Sequence, residues 1–122
     1  MSRTARQERG SQGEALARSY LQRQRYEIEA ANVRCPAGEL DLVARDRQTL
    51  CFIEVRTVTT DRFGSAVGSI DARKRRHVLQ AARWYIAGRR PRWDGPFRFD
   101  VVAIDQTGST PAVTLIRNAF DA

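Results

Sequence analysis

Glu39, Asp41 and Glu54 interrupt two strand-forming runs, ELDLVAR and TLCFIEVRT, whose other residues are largely Leu, Val, Ala, Phe and Ile. An ionised carboxylate buried alone costs several kcal/mol or more, so a cation belongs beside these acids. A two-residue turn at Arg47-Gln48 sets Asp41 opposite Glu54 and Glu39 opposite Arg56. Because side chains alternate along a strand, those four share one face, and Leu40, Leu42, Ile53 and Val55 share the other. Cβ atoms of opposed residues lie about 4.5 to 5.5 Å apart, where like charges are destabilising. Two answers are open. A hard divalent ion such as Mg²⁺, which takes oxygen ligands and retains waters, suits Asp41 with Glu54. Alternatively Arg56 closes a structural ion pair without a metal. Glu14, three and seven residues before Ala17 and Leu21, stands at the margin of a helix face within reach of the pair. It also completes a Ser-x-x-Glu capping box with Ser11.

The elements that must position these acids follow from local pattern. Residues 1 to 10, with Arg3, Arg6 and Arg9 and few apolar anchors, form a mobile basic arm ahead of a single domain over residues 11 to 122. Leu16, Ala17, Tyr20 and Leu21 give a helix from Ser11 to about Arg25 its apolar stripe. Tyr26 to Val33 reads as a short strand and Cys35-Pro36-Ala37-Gly38 as a turn. Strands follow over residues 39 to 45 and 49 to 57, and a glycine-bearing loop over residues 59 to 68. A second helix runs from Ser69 or Asp71 to about Ala87, with Val78, Ala81, Ala82, Tyr85 and Ile86 inward and Gly88 as its stop. Phe97 to Ile104 is a further strand and Val113 to Ile116 an edge strand. This order implies an α/β domain with a mixed central sheet flanked by helices.

Composition removes several kinds of chemistry. One histidine, His77, cannot build a His-based zinc site or a Ser/His/Asp triad alone. Cys35 and Cys51 have no CxxC partner and read as reduced structural thiols. No run approaches a membrane span and the first residues lack an apolar signal core, so the expected location is the cytoplasm, with no membrane partner. With 21 Lys and Arg against 14 Asp and Glu, the formal charge of +7 favours a polyanionic partner.

GELDLVARDRQTLCFIEVR resembles the carboxylate hairpin of the PD-(D/E)xK nuclease superfamily, and more closely a bacterial family called YraN-like. GEALARSYL, DRFGS, DARKRRHVLQAARWYI and RFDVVAI resemble that family's segments in order, over roughly residues 10 to 105. The resemblance implies a restriction-endonuclease-like fold similar to Holliday-junction resolvases. It also implies Asp41, Glu54 and the Val55 carbonyl as ligands of Mg²⁺ or Mn²⁺, Glu14 as an auxiliary acid and Arg56 in the place of the motif's usual lysine. Arginine stabilises phosphoryl charge but cannot act as a general base. The expected function is metal-dependent phosphodiester hydrolysis in DNA or branched nucleic acid. The alternative is a non-catalytic nucleic-acid-binding module whose Arg56 neutralises a degenerate site.

Arg73, Lys74, Arg75, Arg76 and Arg83 form a basic patch on the second helix, and Lys74, the only lysine, could reach the acidic site from there. Trp93, in a polar loop, is the expected stacking residue, whereas Trp84 on the helix reads as core. No base-reading element is visible, so selectivity is expected for nucleic-acid structure rather than sequence, and the favoured partner is structured or branched DNA. Resolvase-like nucleases often act as homodimers, though no dimer seam is visible. Arg98 and Asp100, on one face of their strand, read as a structural pair.

Overall fold

The computed structural model describes the backbone of residues 5–58 and 63–121 and the side chains of residues 12–58 and 66–121. Five strands form one sheet in the order of the sequence: β1 (Glu27–Cys35), β2 (Gly38–Asp46), β3 (Thr49–Val58), β4 (Phe97–Asp105) and β5 (Ala112–Phe120). Neighbours are antiparallel except β3 and β4, which run parallel. A parallel pair needs a long crossover, and here the crossover contains α2 (Phe63–Gly68) and α3 (Ala72–Arg89). The mixed α/β sheet expected from the sequence is therefore present.

Each sheet face carries its own core. Ala17 and Leu21 of α1 (Ala5–Arg23) pack with Leu42, Ile53, Val102 and Ile104 on one side. Ala66 of α2 and Val78, Ala81, Ala82 and Tyr85 of α3 pack with Val43, Phe52, Phe99 and Val101 on the other. The result is a helix–sheet–helix sandwich. α1 ends where Arg25 adopts a left-handed φ of 69° and the Tyr26 N–H bonds the Leu21 carbonyl at 2.9 Å. That C-terminal motif turns Tyr26 into the core.

Several boundaries differ from the sequence pattern. α1 begins at Ala5, so Ser11 and Glu14 lie inside the helix and no capping box opens it, while residues 1–4 of the expected arm lie outside the described residues. Within residues 59–68, Phe63–Gly68 is helical, and residues 59–62 lie outside the described residues. α3 starts after Asp71, whose Oδ1 accepts the Lys74 N–H at 2.8 Å, and passes through Gly88. β5 runs to Phe120, well beyond Ile116.

The alternation of β2 also departs from expectation. Leu40 packs on the α3 side and Leu42 on the α1 side, although they are two residues apart. β1 does the same: Ala31 packs on the α1 side and Val33 on the α3 side, with Asn32 between them at a left-handed φ of 53°. Asparagine tolerates that conformation better than most residues. Alternation thus reverses at Asn32 in β1 and at Asp41 in β2, whereas β3, whose alternation stays regular, keeps Leu50 and Phe52 on the α3 side and Cys51 and Ile53 on the α1 side.

Candidate active site

The β2–β3 turn is Arg47-Gln48, with Arg47 at a φ of 58°, and the ladder runs from Asp46 opposite Thr49 to Leu42 opposite Ile53. This is the register expected from the sequence. Past Leu42 the strands stop pairing, and the Asp41 carboxylate takes over, its Oδ2 accepting the Val55 N–H at 2.9 Å. Glu54 faces Asp41 closely enough for their side chains to interact, and it is only 2% exposed. A reversal of side-chain alternation in β2, beside the regular β3, thus creates the acidic pair.

Burial pushes the Glu54 carboxyl up to about 8, and the Asp41 charge adds to that effect. Lys74 Nζ, at 4.0 Å from Glu54 Oε2, and Arg56 act in the opposite direction without cancelling it. Lys74 therefore reaches the acidic site from α3, and its Glu54 partner is buried. Arg56, two residues along β3, has a buried Nε without a hydrogen-bond partner among the described residues. A buried guanidinium N–H left unbonded is costly unless something arrives to accept from it.

Glu14 stands apart from this pair. Its Oε1 accepts from Asn32 Nδ2 at 2.8 Å. Burial raises its carboxyl, with Asp41 and Glu39 adding to the rise against the Asn32 bond and Arg18. Glu39 is exposed and pairs with Arg34 of β1, so the sequence-derived pairing of Glu39 with Arg56 is not found. Among the described residues, no three His, Cys, Asp or Glu side chains converge as a metal cage. Asp41 and Glu54 alone still offer hard oxygen donors for an ion that keeps waters in its shell. Asn32, which the sequence reading missed, links β1 to Glu14; an asparagine inside a strand was the available signal.

The basic helix divides into two sets. Arg73, Arg76 and Arg83 are exposed. Lys74 and Arg75 are half-buried, and Arg75 is engaged with protein: its Nε donates to the Ile70 carbonyl at 2.9 Å and its guanidinium covers the Phe120 ring at 5.3 Å. The two tryptophans exchange the expected roles. Trp84 is 45% exposed, whereas Trp93 packs against the core and its Nε1 donates to the Pro96 carbonyl at 3.3 Å.

Across the sheet, Arg98 and Asp100 form the expected pair at 2.9 Å, within a larger network. The Tyr26 hydroxyl donates to Asp100 and accepts from Arg98 and Arg117, while Arg98 also holds Asp46 at 2.8 Å. Asp100 is fully buried and also accepts the Asn118 N–H, so its charge is satisfied within the fold.

The family model described as "Uncharacterised protein family UPF0102" matches residues 13–104. A UPF0102 protein of Geobacter metallireducens is 42% identical over 112 residues, 92% of this chain and 91% of its own. One from Desulfosudis oleivorans is 43% identical over 122 aligned positions, covering 96% and 93%. One from Xanthomonas oryzae pv. oryzae is 43% identical over 118, covering 97% and 95%. The matched span contains Glu14, Asp41, Glu54, Arg56 and all of α3.

Proposed function

Since the chain belongs to the uncharacterised protein family UPF0102, we propose its activity from the geometry of its own hairpin: metal-dependent hydrolysis of phosphodiesters in structured or branched DNA. The observation that carries this is the meeting of Asp41 and Glu54 where β2 parts from β3, beside a buried Arg56 Nε that lacks a partner among the described residues. Kinship to the PD-(D/E)xK nucleases and a restriction-endonuclease-like fold belong to the same proposal, supported by this mixed sheet with its acids on adjacent strands.

Asp41, Glu54 and the Val55 carbonyl would hold Mg²⁺ or Mn²⁺, which supplies Lewis-acid stabilisation of phosphoryl charge and a lowered pKa for bound water. Arg56 donates to a phosphoryl oxygen as negative charge develops there. It remains protonated throughout, so no general base is assigned to it. Lys74 balances Glu54 from α3 and keeps a positive group at the edge of the site. Glu14, held by Asn32, is an auxiliary acid that orients groups on the α1 side. Arg73, Arg76 and Arg83 engage phosphates outside the reacting bond. A homodimer acting on two strands is compatible with this assignment.

Incubation with junctions, flaps and single strands should give divalent-dependent cutting that Asp41→Ala abolishes. Calorimetric titration should find a Mg²⁺ or Mn²⁺ site in wild type that is lost in Asp41→Asn. Wild-type protein that neither cuts with either ion nor binds one overturns the catalytic assignment. The Lys74–Glu54 contact favours a second reading, a binding module in which cations already neutralise the acids. It expects Asp41→Ala to leave nucleic-acid affinity intact or raise it.

A further inference from the structure

α3 carries six cationic side chains and no acid over its 18 residues. Its buried residues Val78, Ala81, Ala82 and Tyr85 fix which side faces the sheet. At about 100° per residue, Arg73, Arg76, Arg83 and Trp84 fall together on the opposite, solvent side. All four are exposed, and Trp84, at 45%, is one of two large hydrophobic side chains so exposed among the described residues. The side chains one turn N-terminal to Trp84, toward which a helical side chain leans, are only Gln80 and Ala81. The fold of this chain leaves nearly half of a large aromatic side chain in water, on a helix face that also carries Arg73, Arg76 and Arg83.

We propose that this outward face of α3 is a stacking platform for an unpaired nucleobase, with Trp84 as the platform and Arg73, Arg76 and Arg83 on the flanking phosphates. The inference rests on the nucleic-acid reading above and narrows its substrate class to DNA with a single-stranded portion. Charge selects the occupant: an anionic strand presents both π-faces and phosphates, matching an exposed aromatic ring on a helix that carries six cationic side chains and no acid. An unpaired base is required because bases inside a duplex already stack on one another. Helix geometry places the platform relative to the acids. Lys74 contacts Glu54, and the ten residues from Lys74 to Trp84 span about 15 Å at 1.5 Å each. That is roughly four nucleotides of a stacked strand at about 3.4 Å apiece, a short single-stranded arm.

Fluorescence anisotropy with labelled oligothymidylate and with a blunt duplex tests this in the full-length chain. Trp84→Ala should weaken oligothymidylate binding about tenfold. Trp84→Phe should recover most of that loss, duplex affinity should stay within about twofold, and the melting curve should not move. Unchanged oligothymidylate affinity in Trp84→Ala, or equal loss on both ligands, overturns the platform while leaving the nucleic-acid reading standing. Self-association lost in Trp84→Ala with oligothymidylate affinity intact also overturns it, assigning the ring to a second copy. Wild type that binds neither ligand in a salt-dependent way removes the nucleic-acid reading and the platform with it.

Discussion

Glu54 shows how much of a site's chemistry depends on the position of one carboxyl. In the absence of metal its proton is retained to about pH 8 because burial and Asp41 both disfavour the charge. A carboxyl whose folded value lies above its unfolded one gives full stability below the unfolded value and loses it as pH rises through the folded value. Metal-free protein should therefore become less stable between about pH 4.5 and 8. Glu54→Gln, which cannot ionise, should melt about 5 °C or more above wild type at pH 9, with the difference vanishing near pH 4.5. Calorimetric melts in EDTA check this; equal pH dependence in the two proteins would show that Glu54 is not forced to ionise in a dry environment. The hairpin register was legible because the Arg47-Gln48 turn fixes it, but the reversal in β2 that joins the Asp41 carboxylate to Val55 was not. Glu14 was legible as an acid near the site, but its partner Asn32 was not, since a left-handed residue inside a strand leaves little trace in a hydrophobic pattern.

Among the elements, α3 is the one on which both the acidic site and the basic face depend. Its first turn is fixed by Asp71, whose carboxylate accepts the N–H of Lys74, the residue that contacts Glu54. Asp71→Ala should cost about 1 kcal/mol of stability in a denaturant melt. Asp71→Ser should restore most of it, because a hydroxyl also caps; a melt unchanged by Asp71→Ala would show that the cap does not hold the helix start. The element types were readable in the sequence because α3 keeps a helical apolar stripe and the hairpin strands have strand-forming composition. Their ends were not. α1 extends back to Ala5 despite its polar first turns, and α2 forms from a stretch with two glycines, because packing of Ala66 into the core outweighs weak local propensity. Trp84 and Trp93 traded places for a related reason: a helix position can face water and a loop can fold back onto the core.

For the molecule as a whole, the formal charge of +7 is an average, and the fold decides which cations reach a partner. Arg73 and Arg76 face solvent, whereas Arg75 is held by Ile70 and Phe120. Replacing Arg73 and Arg76 with Glu should weaken DNA binding and reduce the slope of log K against log salt by about 2. Arg75→Glu should instead lower the melting temperature, since it removes a bond to the backbone and a cover over an aromatic ring. Binding isotherms at several salt concentrations and a thermal melt separate the two; similar behaviour from both variants would contradict the division of the basic helix. No helix among the described residues is long and apolar enough to cross a membrane.

Sequence alone determined the order of the five strands and of α1 and α3, and the turn that registers β2 against β3, because each of these follows from short-range periodicity and turn chemistry. Only the tertiary structure decided that side-chain alternation reverses at Asn32 and Asp41, which brings Asp41 to Glu54, that β2 and β3 stop pairing before Glu39, and that Trp84 rather than Trp93 faces water. Those outcomes depend on what packs against each face of the sheet, which is set by residues far apart in the chain.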